Sequence, residues 1–284
     1  APGEHSDDKS RADWENFHCP VGFEACVKNE KIMFDYKQSP KKAAEVPPQR
    51  AKNSKDEAAS APKPPCFVEA LLTAKAFVEK AVEDLAAREK NPVSVSEDQR
   101  DFLAVVACKV AEILHAKRCS EDGESKESID VKPARILLSG PGGSGKSEVV
   151  RIVQDMMCHF GLGCKAVAAS NSAARGIGGD TIHSSLHVSG ASNFQASTLS
   201  KGITTELQDE WRDVRALIVE EVSMVSPTML GGMSFRLCKA RCGAIPWLKP
   251  DLYQEPAHMF GAIPLVIFLG DFMQLAPIEG TVRI

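Results

Sequence analysis

From residue 67 onward the apolar positions recur with helical spacing, then switch to short unbroken runs. Phe67, Leu71, Ala74, Val78, Val82 and Leu85 form one stripe at intervals of three and four, and Asn91-Pro92 stops the helix they predict. Ser96-Glu97-Asp98-Gln99 has the pattern of a capping box and opens a second helix through Phe102, Val106, Val110 and Ile113. Residues 119–130 are charged and Ser-rich and read as a surface loop. After Pro133 the texture becomes strand–helix alternation. Strands are predicted at Ile136–Leu138, Ala166–Ala169, Ala216–Val219 and Leu265–Phe268, with a helix from Glu148 to Phe160 ended by Gly161. Strands that are apolar throughout, rather than alternating, imply burial on both faces and hence a parallel sheet covered by helices. In such sheets ligands bind beyond the carboxyl ends of the strands, so the residues at those ends carry the chemistry.

The first 66 residues read differently. Residues 38–65 hold six prolines and only Val46 as a large apolar residue, a composition that cannot repay its ordering entropy. Residues 12–36 contain Trp14, Phe17, Phe23, Ile32, Met33, Phe34 and Tyr36, enough for a short ordered piece. The expected organisation is therefore a short N-terminal segment (1–37), a flexible linker (38–66), a helical lead-in (67–130) and an α/β lobe (131–284).

With 43% apolar and 25% charged residues in 284, the chain has enough apolar matter for a sizeable core, which excludes collagen-like and wholly disordered classes. No apolar run is long enough to span a membrane, and no signal peptide is expected. The net charge of −4 gives no general attraction to nucleic acid, and residues 1–66 carry 11 basic and 11 acidic side chains, so no basic arm is present. Nine scattered cysteines without a CxxC pair read as reduced thiols of an intracellular protein. Cys238 and Cys242 lie one helical turn apart and could share a metal, but no second ligand pair follows.

The strongest motif follows the first predicted strand. Gly140-Pro141-Gly142-Gly143-Ser144-Gly145-Lys146-Ser147 fits GxxxxGK[ST] between a strand and a helix. Gly140, Gly142, Gly143 and Gly145 let backbone N–H groups turn inward around phosphate oxygens, with Ser144 beside them, and the helix N-terminus adds partial positive charge. Lys146 is expected to reach the outer phosphates and the Ser147 hydroxyl to ligate Mg²⁺. The third strand runs into Glu220-Glu221. Two adjacent carboxylates there fit a division of labour, Glu220 toward Mg²⁺ and Glu221 as general base on the attacking water, against the plainer reading of two solvated loop acids. The fourth strand ends in Gly270-Asp271-Phe272-Met273-Gln274, where Gln274 is placed to sense the terminal phosphate, or is simply a polar loop residue.

Taken together, these segments resemble the 5′-to-3′ superfamily 1B DNA helicases of the PIF (petite integration frequency) and RecD-like group. Gly140–Ser147 is similar to helicase motif I, Ser170–Ala174 and Gly179–Ser184 to motifs Ia and Ib, Glu220–Met224 to motif II, and Gly270–Leu275 to motif III. The resemblance covers residues 94–284 and implies a RecA-like P-loop NTPase sheet flanked by helices, with ATP and Mg²⁺ as cofactors. It also implies single-stranded DNA as partner and work in DNA repair, recombination or telomere maintenance, in a nucleus or mitochondrion if the source is eukaryotic. By position it assigns adenine recognition to Gln99, which could instead merely complete the helix cap. It places Asn171, Thr181 and His183 along the DNA path. Two departures stand out: Glu220 replaces the usual Asp of motif II, moving the carboxylate outward by about 1.5 Å, and Ser170-Asn171 stands where Thr-Gly is common. The second lobe of such a motor, with its arginine finger, does not occur in these residues, so the sequence is expected to be part of a larger helicase that alone hydrolyses ATP feebly. Competing expectations are a P-loop kinase and a nucleotide-binding switch that has lost hydrolysis.

Overall fold

The structure, a computed structural model, describes residues 67–121, 131–188, 194, 199–245 and 247–274, together with the backbone of two strands near the N-terminus. The chain divides into two compact units, Ala1–Ala61 and Pro62–Ile284. In the first, β1 (Glu24–Lys28) and β2 (Lys31–Asp35) pair as an antiparallel hairpin. The expected linker, 38–66, lies outside the described residues, as do 122–130.

The second unit opens with two long helices, α1 (Phe67–Ala86) and α2 (Glu97–Glu121). The buried line of α1 is Ala70, Ala74, Val78, Val82 and Leu85. It differs at its start from the predicted stripe, because the small Ala70 fits the packed seam while the bulkier Phe67 is exposed and Leu71 lies on the flank. In α2 Phe102, Val106, Val110 and Ile113 are all buried, as the periodicity predicts. This helix continues to Glu121, so residues 119–121 are helical rather than loop; Arg118 in its last turn favours the extension by facing the negative end of the helix dipole.

Five parallel strands follow: β3 (Ala134–Ser139), β4 (Gly163–Ala168), β5 (Asp180–Thr181), β6 (Val214–Glu220) and β7 (Leu265–Gly270). Their spatial order is β3-β7-β6-β4-β5. Between them run α3 (Lys146–His159), α4 (Asn171–Gly176), α5 (Ile182–Ser185), α6 (Lys201–Trp211) and α7 (Pro227–Arg241). The unbroken apolar runs now have a physical account. Ala216 and Ile218 of β6, with Leu265, Ile267 and Leu269 of β7, enter a core shared with α1, α2 and α3. Leu217 and Val219, with Val266, enter a second core formed with α5, α6 and α7. Alternate residues thus serve opposite faces, and both faces are dry. β3 departs from this expectation: it is an edge strand, and Leu137 in the predicted buried run is 48% exposed.

A buried guanidinium ties the far end of the sheet together. Arg241, closing α7, donates to Trp211 O, Arg212 O and Val214 O at 2.7, 3.1 and 2.8 Å, and to Gly261 O at 2.7 Å. These carbonyls belong to the end of α6, the start of β6 and the turn before β7, so one side chain registers three elements.

Candidate nucleotide site

The loop between β3 and α3 is set by backbone chemistry that only glycine tolerates. Gly143 and Gly145 adopt φ of 78° and 83°, in the left-handed region. Gly145 is the N-cap of α3 and supplies no side-chain cap, so the positive end of a 14-residue helix is left for an anion. A Cβ on Gly142 would stand 2.8 Å from Gln274 Nε2, so the glycine there is what admits the glutamine.

Lys146 lies folded over the loop, its ammonium donating to Gly140 O at 2.6 Å and Pro141 O at 2.9 Å. Ser147 follows it as the second residue of α3, half-buried. Gln99 approaches from α2. Its Oε1 accepts the Ser96 N–H at 2.9 Å while Ser96 Oγ accepts the Gln99 N–H at 3.3 Å, which completes the reciprocal cap. Its Nε2 donates to Ser144 O at 2.8 Å. One amide therefore serves as helix cap and as a brace on the phosphate loop.

β7 and β6 supply the remaining groups. β7 is paired directly with β3, and the Gly140 N–H donates to Gly270 O at 3.3 Å, which brings the segment after Gly270 against the loop. Asp271 Oδ2 accepts the Gly142 N–H at 3.2 Å and the Gln274 amide at 2.9 Å. Hydrogen bonds from the Met273 N–H, Gln274 and Gly142, together with the charge on Lys146, hold the Asp271 carboxyl below the ordinary carboxylate range. Glu220, at the end of β6, is pushed up, first by burial and then by the neighbouring Glu221 charge, against the opposing pull of Lys146. Among the described residues its Oε2 is buried without a hydrogen-bond partner, as is Ser223 Oγ. Glu221 sits half-buried at φ 54°, outside the usual range for a residue with a side chain, at the start of the turn Val222–Met224.

These groups fit a nucleotide and a divalent cation. The ammonium and the uncapped helix terminus suit phosphate. The orphaned, buried Glu220 oxygen near Lys146, with the hydroxyl of Ser147 as a second oxygen donor, suits a hard cation such as Mg²⁺.

Lys146, Glu220, Gln274 and Gln99 are brought to one end of the sheet, on β3, β7 and β6 and the start of α2. Asn171, Thr181 and His183 stand on its other side, after β4 and at β5. Asn171 is exposed at the start of α4, Thr181 Oγ1 caps α5 by accepting the Ser184 N–H at 3.2 Å, and the His183 ring lies edge-on to Phe194 at 4.8 Å. Sequence reasoning did not single out Asp271. The signal that finds it is the one used for Glu220, an acid just past the carboxyl end of an unbroken apolar strand. The Cys238 and Cys242 thiols donate instead to His258 O and Lys239 O, and among the described residues no group of three metal-ligating side chains forms. No described helix is long and apolar enough to cross a membrane.

Sheet order, loop and converging side chains define the class: a P-loop NTPase lobe of RecA-like type. The family model for PIF1-like helicases matches residues 125–283, more than half of the chain, and the chain belongs to that family. It is 32% identical over 164 residues to the ATP-dependent DNA helicase PIF1 of Saccharomyces cerevisiae, covering 56% of this chain and 17% of that protein. To the ATP-dependent DNA helicase PIF1 of Candida albicans it is 30% identical over 146 residues, covering 50% of this chain and 14% of that one. A crystal structure of Bacteroides Pif1 bound to single-stranded DNA is similar at 24% identity and a TM-score of 0.36, over 51% of this chain and 30% of that one. The match thus spans less than a fifth of the length of either yeast relative.

Proposed function

We propose that the chain carries the nucleotide-binding lobe of an ATP-dependent DNA helicase, coupling ATP hydrolysis to movement along single-stranded DNA and to duplex unwinding in repair, recombination or telomere maintenance. The observation that carries this reading is the convergence of Lys146, Glu220, Asp271 and Gln274 on the loop after β3. In this reading the N–H groups of Gly142, Gly143, Ser144 and Gly145 face the phosphates. Lys146 exchanges its hold on Gly140 O and Pro141 O for phosphate oxygens. Ser147 and Glu220 hold Mg²⁺, whose charge would offset that building on the phosphates during hydrolysis. Glu221 takes the proton of the attacking water, and Gln274 orients against the terminal phosphate. Gln99 reaches adenine by giving up one of its two present bonds. Asn171, Thr181 and His183 meet the DNA strand on the β4–β5 side of the sheet, one strand (Asn171) or two strands (Thr181 and His183) from Glu220 on β6, so that a change at the phosphates is felt next to the nucleic acid. A second lobe elsewhere in the protein completes the motor, which works in a nucleus or mitochondrion if the source is eukaryotic.

Lys146→Ala tests the reading. It removes a charge-assisted contact to phosphate and should weaken ATP binding by about 10- to 100-fold in a fluorescent-nucleotide titration. The full-length protein should hydrolyse ATP faster when single-stranded DNA is added. Unchanged affinity in the variant, or hydrolysis indifferent to DNA, overturns it.

A further inference from the structure

Asp271, the first residue past β7, does more than shape a turn. Its Oδ1 accepts the Met273 N–H at 3.0 Å, which closes the turn locally. Its Oδ2 crosses to another loop: it accepts the Gly142 N–H at 3.2 Å and the Gln274 amide at 2.9 Å. Gln274 Nε2 is in turn pressed against Gly142, at 2.8 Å from the position of a Cβ there. Lys146 is close enough for its charge to act on the same carboxylate. An anionic oxygen that takes a loop N–H and the glutamine amide, within the field of the loop lysine, has the acceptor chemistry of a terminal phosphate oxygen. Two anions cannot share those donors without repulsion.

We infer that Asp271 is a positioning residue that serves as the resident anion of the phosphate loop, holding the Gly142 N–H and the Gln274 amide until the outermost phosphate of a nucleoside triphosphate displaces it. The inference rests on the proposed reading that this loop binds a nucleotide. Displacement releases the Gln274 amide from this carboxylate at the moment the triphosphate arrives, and the carboxylate withdraws with its second oxygen still anchored on Met273. A diphosphate, which lacks the outermost group, leaves the carboxylate in place. The device therefore sets a preference between the two nucleotides as well as the position of Gln274.

The test uses the whole chain with Asp271→Asn, and Asp271→Ser as a smaller neutral variant. Binding of a fluorescent non-hydrolysable ATP analogue and of fluorescent ADP is titrated with MgCl₂ and with EDTA, alongside thermal melting. Removing the resident charge should tighten the triphosphate about fivefold in both variants, with or without Mg²⁺. ADP should stay within about twofold of wild type. Asp271→Glu, which keeps the charge, should fall back toward wild type. Unchanged or weaker triphosphate binding in the neutral variants overturns the inference. Weakening seen only with Mg²⁺ does so in favour of a metal-side role, and equal weakening of both nucleotides with a lowered melting temperature does so in favour of a purely structural one. If the wild-type chain binds neither nucleotide, the reading of the loop itself fails; if it binds both and the neutral variants match it, only the role of Asp271 fails.

Discussion

Glu220 shows how one methylene changes the problem a site has to solve. The longer arm keeps its carboxylate at the end of a mostly buried strand, beside Glu221, with one oxygen that has no hydrogen-bond partner among the described residues. A carboxyl in that setting disfavours its own charge, so the free chain is less stable for having it ionised. Glu220→Gln should raise the melting temperature of the nucleotide-free chain at neutral pH and abolish the shift caused by MgCl₂ with nucleotide. The sign follows from linkage: because the folded-state pKa is raised, ionisation counts against folding above it. The gain should fade as the pH falls and the wild-type carboxyl is protonated in both states. Thermal denaturation of both proteins across pH checks it; a lower melting temperature for the variant at pH 7 would mean that Glu220 has a partner that stabilises its charge. Of the candidate site, the loop GxxxxGK[ST], the Glu220-Glu221 pair and Gln274 stood out in the sequence as local patterns, whereas Asp271 did not. The double use of Gln99, and the bond from Asp271 to Gly142, were not readable there, because both join segments far apart in the chain.

At the scale of elements, α1 and α2 were expected as a lead-in to the lobe, and their periodicity did predict two helices. Periodicity says which face is apolar but not what that face meets. In the structure Phe102, Leu103, Val106 and Val110 share a continuous core with α3 and the inner face of the sheet. Leu103 is fully buried there, and Leu103→Ala should cost roughly 2–5 kcal/mol. The loss should register in a single cooperative transition that includes the nucleotide site, measured by denaturant unfolding with circular dichroism and a bound fluorescent nucleotide as separate probes. Non-coincident transitions would show instead that the two helices melt apart from the sheet. The same limit explains Leu137: an unbroken apolar run looks the same in a central strand and at an edge, and only the strand order separates them.

For the second unit as a whole, the two cores lie on opposite faces of one sheet and are closed at its amino-terminal side by Arg241. Four carbonyls from three elements depend on that guanidinium, whose pKa burial draws down to about 10. Arg241→Met keeps much of the volume but leaves these carbonyls unpaired in a dry place. It should destabilise the chain by about 3 kcal/mol or more, read from chemical denaturation. A smaller loss would mean that water reaches these carbonyls once the charge is gone.

By itself the sequence determined the parallel α/β class, the phosphate loop, the acids and glutamine at the strand ends, and the family. All of these are written in runs of a few residues whose spacing matches the period of a strand, a helix or a phosphate cradle. Only the tertiary structure decided that β7 lies between β3 and β6, which sets Asp271 and Gln274 against the loop, and that β3 is an edge. Strand order and the choice of hydrogen-bond partner depend on which distant apolar faces pack together, and a one-dimensional pattern of polar and apolar positions leaves that pairing open.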